Sequence, residues 1–173
     1  MPSTTEAGLR LAEAAQRYVG VPFQFHIGLT RCERDFKPRC MRYGINSIGL
    51  DCAGHACLSA ADVLGINLER VSYKTLRESN FPRHAHEFWD IRDPKAKRLG
   101  LGDIALIPFT TINTARIGHV AVVIQTEPEI IVCHVRGAGA ESVVREPLRK
   151  DWGEPSGIVR AHDFLSVVEQ VVR

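Results

Sequence analysis

Three residues far apart in the chain have the types needed for a nucleophile and its base. Cys52 lies in "GLDCAGHACLSAADVLG", His119 in "IGHVAVVIQ" and His134 in "EIIVCHV". A thiol attacks a carbonyl as the thiolate, and its pKa falls at a helix N-terminus or beside an imidazolium. Position 52 offers the first condition. The N–H groups of a helix's first turn lack intrahelical partners and carry partial positive charge. Asp51 is a good N-cap for such a helix. Ala53 and Gly54 keep the first turn uncrowded, so a substrate carbonyl could approach and the Cys52 N–H could donate to the developing oxyanion. His119, with Gly118 leaving room beside it, could take the thiol proton as general base and later deliver it to a leaving amine. A base needs an orienter, and His134 lies one hairpin later. If the "QTEPE" turn is centred on a peptide bond, the two imidazoles share a face of the sheet. If it is centred on a residue, they lie on opposite faces, and both registers stay open at this level.

Each residue alone has a plainer reading, a buried core cysteine or a packed strand histidine. Their combination fits the Cys/His logic, whose parts are distant in sequence. His55, three residues after Cys52, could line a groove or compete as base, but side chains on one helix rarely converge for proton transfer, and a packed helix histidine is the simpler reading. Cys57 and Cys133 read as core residues, Cys133 facing away from His134. Asp103 follows the "GLG" turn and is expected to fix it. Cys32 and Cys40 flank seven residues in "TRCERDFKPRCMR". They could form a disulfide or contribute to a zinc site, although the spacing is not that of a tight ligand pair. The same loop carries Arg31, Arg34, Lys37, Arg39 and Arg42. It is either a solvated basic loop or a groove wall whose guanidinium groups hold carboxylates of an acidic peptide. His26, His84, His86 and His162 form no usable pattern.

Positioning these groups requires a helix for Cys52 and a sheet for the histidines. A first helix is expected from about Thr5 to Tyr18, capped by Ser3 or Thr4 and stopped by Gly20 and Pro22. Residues 23–48 show no periodicity, and a loop this long is either functional or an insertion. The second helix spans 52–64, with Asp51 as N-cap and Gly65 at its C-terminal stop. Residues 73–90 hold short helical pieces broken by "NFPRH", and "DPKAKRLGLGD" is a charged turn region. The segments 103–109, 117–125 and 129–135 are rich in β-branched residues and read as strands, with "SVVRE" and "GIVRAH" as shorter ones. On the second strand His119, Ala121 and Val123 share one face, and Val120, Val122 and Ile124 the other. The tail "DFLSVVEQVVR" is a closing helix capped by Asp163 or a strand extension. Helices first and strands afterwards imply an α+β fold with an antiparallel sheet.

The 173 residues suit one domain, 1–173, with a sizeable core. A net charge of +2 gives no argument for nucleic acid. No stretch approaches a membrane span. The N-terminal segment has no apolar h-region, so the expectation is a leaderless chain made in the cytoplasm. Five cysteines leave at least one unpaired within a monomer, and reduced thiols are expected.

The succession "DCAG", "GDIALI", "GHVAVV" and an apolar strand carrying a histidine resembles the NlpC family of papain-like cysteine peptidases, over about residues 5 to 162. The resemblance implies a papain-like fold, with N-terminal helices packed on a central antiparallel sheet and the nucleophile at a helix N-terminus. It implies Cys52 as nucleophile, His119 as base and His134 as the third polar residue. The implied substrate is the peptide stem of bacterial peptidoglycan, often cut after D-glutamate and before a diamino acid. The chemistry needs no metal or organic cofactor. A stretched link before "GLDCAG" and a segment with Trp152 before "RAHDF" are similar to the phage-type members encoded among tail genes of phages and gene transfer agents. That likeness implies tail components as partners and a phage-like particle acting on the cell wall. Two features depart from the family pattern. Phe23 follows the Pro of "GVP" where a tyrosine is common, and the paired glycines are reduced to "HIGL"; both bear on substrate contacts. Two rivals use the same residues: a tail-tip or wall-binding protein that does not cut, and a thiol amidase or acyltransferase.

Overall fold

The computed structural model describes residues 4–21, 51–71, 73–108, 118–135 and 142–171. The order of elements is α1 (Thr4–Gln16), α2 (Cys52–Leu64), α3 (Tyr73–Glu78), β1 (Ile104–Ile107), β2 (His119–Gln125), β3 (Ile131–Val135), β4 (Val143–Pro147), β5 (Gly157–Val159) and α4 (Ala161–Gln170). Short 3₁₀ turns at Leu68–Arg70, Ala85–Ile91 and Lys150–Trp152 join them. The strands form one sheet in the order β4-β3-β2-β1-β5, and every neighbouring pair is antiparallel. The fold class is α+β, as helical patterns followed by strand patterns along the chain imply.

Helix α2 is central because its residues are small. Its buried set, from Ala53 to Ala61 together with Val63, covers nearly the whole circumference. A helix apolar all round must be enclosed by other elements. Its ends follow local chemistry. The Asp51 carboxylate accepts from the Gly54 N–H at 2.7 Å, and Gly65 closes the helix in the left-handed region at φ 66°. Helix α1 buries Ala7, Leu11, Ala14 and Ala15, and α4 buries Phe164, Leu165 and Val168. These helices share one core with Ile104, Leu106, Val120, Val122, Cys133 and Val135, the residues on one face of the sheet. The opposite face carries a smaller cluster of Ala105, Ile107, Ala121, Val123, Val132 and Trp152. Helix α1 approaches the 101–102 turn so closely that a Cβ on Gly8 would collide with the Leu101 carbonyl.

The tail is helical, which decides between its two readings, but Asp163 does not cap it. Arg160 occupies the N-cap position without a side-chain cap bond, and Asp163 lies in the first turn. The capping oxygen comes from Asp103, which accepts from the Ala161 N–H (3.1 Å) and from Arg160 Nη1 (2.6 Å). Asp103 also accepts from the Gly100 N–H at 2.8 Å, so it holds the turn before β1 as well. Among the described residues, no helix is long and apolar enough to cross a membrane.

Candidate active site

The hairpin register brings the two histidines together. Val122 pairs with Cys133 and Val123 with Val132, whereas Gln125 pairs with Ile131. One residue of β2, Ile124, is therefore extra. Beyond it Ala121 stands opposite His134, so His119 and His134 lie diagonally on the same face. Extending the Gln125–Ile131 register without the bulge would set His134 opposite Val122, on the helix side. The open question of parity is thus settled by a bulge inside the strand.

The rings meet directly. His119 Nε2 and His134 Nδ1 are 2.6 Å apart, with ring centroids at 4.9 Å and planes inclined at 71°. Both rings are buried, His119 at 5% and His134 at 1% exposure. Two further residues contact His134, and neither is marked by the sequence as part of the site. Glu146 on β4 places its Oε1 2.8 Å from His134 Nε2. It sits opposite Val132, one diagonal step from His134, which itself pairs with Val144. Trp152 packs its ring on His134 at 5.0 Å between centroids. A charged residue in "VVREP" gives no local sign of facing an imidazole; only strand pairing reveals it.

Cys52 opens α2 and is half-buried. The backbone of Val120, the residue after His119, acts on its thiol and lowers its pKa. Helix start and strand start therefore meet at one end of β2. The electrostatics differ from the expectation of a thiol lowered by the helix terminus. Burial, and next the charge of Asp51, push the Cys52 thiol up to about 12, while hydrogen bonds from the backbone of Val120, Ala53 and Cys52 pull it down. Burial also holds His119 down to about 3, with His134 and His55 acting the same way. Near pH 7 the Cys52 thiol and the His119 imidazole are therefore both neutral. A thiol in that state can act as a nucleophile only by giving up its proton as it attacks.

The other candidates fall in definite places. Ala53 and Gly54 are buried, and the Gly54 N–H is committed to Asp51. Gly118 is exposed and donates its N–H to the Ile107 carbonyl. His55 is turned to the helix side, where its Nε2–H donates to the Ala15 carbonyl at 2.9 Å and Tyr18 packs against it edge-on. Burial lowers it to about 4. It ties α1 to α2 and does not line a groove. Cys57 and Cys133 are buried, and Cys133 Sγ–H donates to the same Ala15 carbonyl. Two histidines without a pattern in sequence, His84 and His86, stack with centroids 5.5 Å apart, and the charge of Asp51 acts on His84. Phe23, His26, Cys32, Cys40 and the basic residues of 31–42 lie outside the described residues. Among the described residues no cluster of three or more metal-ligating side chains occurs.

No protein-family model matches the chain, and no curated protein matches it.

Proposed function

We propose that the chain is a papain-like cysteine peptidase of the NlpC type that hydrolyses peptide stems of bacterial peptidoglycan, at a bond of the D-glutamyl–diamino acid kind. The observation that carries this reading is one junction. A thiol at the N-terminus of the central helix is influenced by the β2 backbone beside His119, whose ring is hydrogen-bonded to His134. His119 uses Nε2 toward His134, so Nδ1 is the nitrogen left to face the thiol. Cys52 Sγ attacks the carbonyl carbon as its proton passes to His119, and the Cys52 N–H donates to the oxyanion. The C–N bond then breaks, His119 protonates the departing amine, and a thioester remains. Water attacks the thioester with His119 as base, releasing the acid and restoring the thiol. Action from a phage tail or gene transfer agent particle belongs to the same proposal and rests on the likeness in sequence layout.

Mass spectrometry of muropeptides treated with the wild type and with Cys52→Ala tests the reading. Split stems from the wild type and none from a normally folded Cys52→Ala are expected. Intact stems freed from glycan identify an amidase. Full activity in Cys52→Ala overturns the mechanism. The raised thiol pKa favours a second reading, a wall-binding protein that does not cut; stem peptides bound but uncleaved by the wild type would establish it.

A further inference from the structure

We propose that Glu146 is a positioning residue that decides which nitrogen of His119 carries the proton, an inference that rests on the Cys52–His119 mechanism above. Three strands, β2, β3 and β4, each contribute one polar side chain to a diagonal row on one face of the sheet. The row runs from His119 Nε2 to His134 Nδ1 at 2.6 Å and from His134 Nε2 to Glu146 Oε1 at 2.8 Å. Its direction follows from what each atom can do. A carboxylate oxygen only accepts. His134 Nε2 must therefore bear the hydrogen in the contact with Glu146. With His134 taken as neutral, its one N–H lies on Nε2, which makes Nδ1 an acceptor. His119 must then donate from Nε2, and its lone pair lies at Nδ1, on the edge of the ring turned from His134. That tautomer can receive a proton from a thiol. The opposite one, with the hydrogen on Nδ1, cannot.

Burial gives the row its directing power. With His134 at 1% exposure, water cannot replace a mismatched partner, and reversing the row would set the His134 Nε2 lone pair against a carboxylate oxygen. The Glu146 side chain is 19% exposed, so the charged end lies toward solvent and the two imidazoles lie inward. Trp152, against the His134 ring, limits its rotation. Glu146 touches neither the thiol nor a reacting carbonyl; it acts on His119 through His134.

Glu146→Gln tests this, because it keeps the shape and removes the charge. An amide can also donate, which permits the row to reverse. Long-range proton–nitrogen NMR of nitrogen-15-labelled protein reads the hydrogen on each ring nitrogen. The expected result near pH 7 is Nε2–H on both His119 and His134 in the wild type, and a shift of His119 toward Nδ1–H in Glu146→Gln. Muropeptide hydrolysis by Glu146→Gln is expected to fall on the order of 10²-fold in kcat with KM little changed, which is the scale of one general base. Glu146→Asp, which retains the charge, should recover part of the loss and keep the wild-type tautomer. Thermal melting shows whether each variant is folded. Nδ1–H on His119 in the wild type, a doubly protonated His134, or an unchanged tautomer in a folded Glu146→Gln overturns the proposal. The tautomer measurement decides it whether or not the wild type cuts. Cleavage that needs Cys52 but is indifferent to Glu146 sinks the positioning role and leaves the peptidase reading standing.

Discussion

At Cys52 two local rules oppose each other. An acidic N-cap stabilises the start of a helix, and here Asp51 accepts from Gly54 as such a cap does. The same charge sits one residue from the thiol and, after burial, is what raises it. The helix terminus favours the thiolate and the capping carboxylate disfavours it. Iodoacetamide labelling of Cys52, read by peptide mass spectrometry, should accordingly be slower at pH 7 than labelling of free cysteine and should still be rising at pH 10. A plateau below pH 7 would instead reveal a thiolate–imidazolium pair in the resting protein. Asp51→Asn retains a good cap and removes the charge, so it should label faster than the wild type at any given pH. The identity of the cap was legible in "GLDCAG"; its effect on sulfur was not. Burial decides that effect, and elements distant in sequence supply the burial.

The decisive element is the β2–β3 hairpin. Side-chain alternation along each strand was readable, and the two clusters on either side of the sheet divide β2 as alternation predicts. The relation between the two strands was not readable, because one extra residue exchanges the faces of everything beyond it. Ile124 is that residue. Deleting it removes the bulge while Gln125 stays opposite Ile131 and Val123 opposite Val132, so His134 stays on the face of His119. The expected outcome is a folded deletion variant that keeps the ring-to-ring hydrogen bond, read by NMR of the two imidazoles. Loss of that bond in a folded deletion variant would refute the register given to the hairpin. The closing helix teaches the same lesson. Asp163 had the right type for a cap, yet Asp103 on the far side of the chain occupies the site. Its carboxylate was already held in place by the turn before β1 and by Arg160.

Across the whole molecule, two buried imidazoles make stability depend on acid. His119 and His55 are held down to about 3 and about 4 in the fold, against 6.5 for a free side chain. Unfolding in the window between those values and 6.5 takes up protons that the folded rings exclude. The stability they protect is fully present above pH 6.5 and declines as pH falls toward 4 and 3. Urea unfolding at a series of pH values should show this slope. His119→Gln should remove about one proton of uptake on unfolding between pH 4 and 6. An unchanged slope in that variant would mean that His119 is already protonated in the fold at those values.

Local order along the chain was enough to mark the capped start and glycine stop of α2, the faces of β2, the α+β class, and Cys52, His119 and His134 as the residues worth watching. All of these depend on neighbours a few positions away, where capping and side-chain periodicity operate. Four features came only from the packed molecule: the parity of the hairpin, Glu146 behind His134, the inward turn of His55 to the Ala15 carbonyl, and the neutral state of the Cys52 thiol and the His119 imidazole. Each depends on strand register or burial. Those quantities arise when segments far apart in sequence exclude water from one another, and no short stretch of residues contains them.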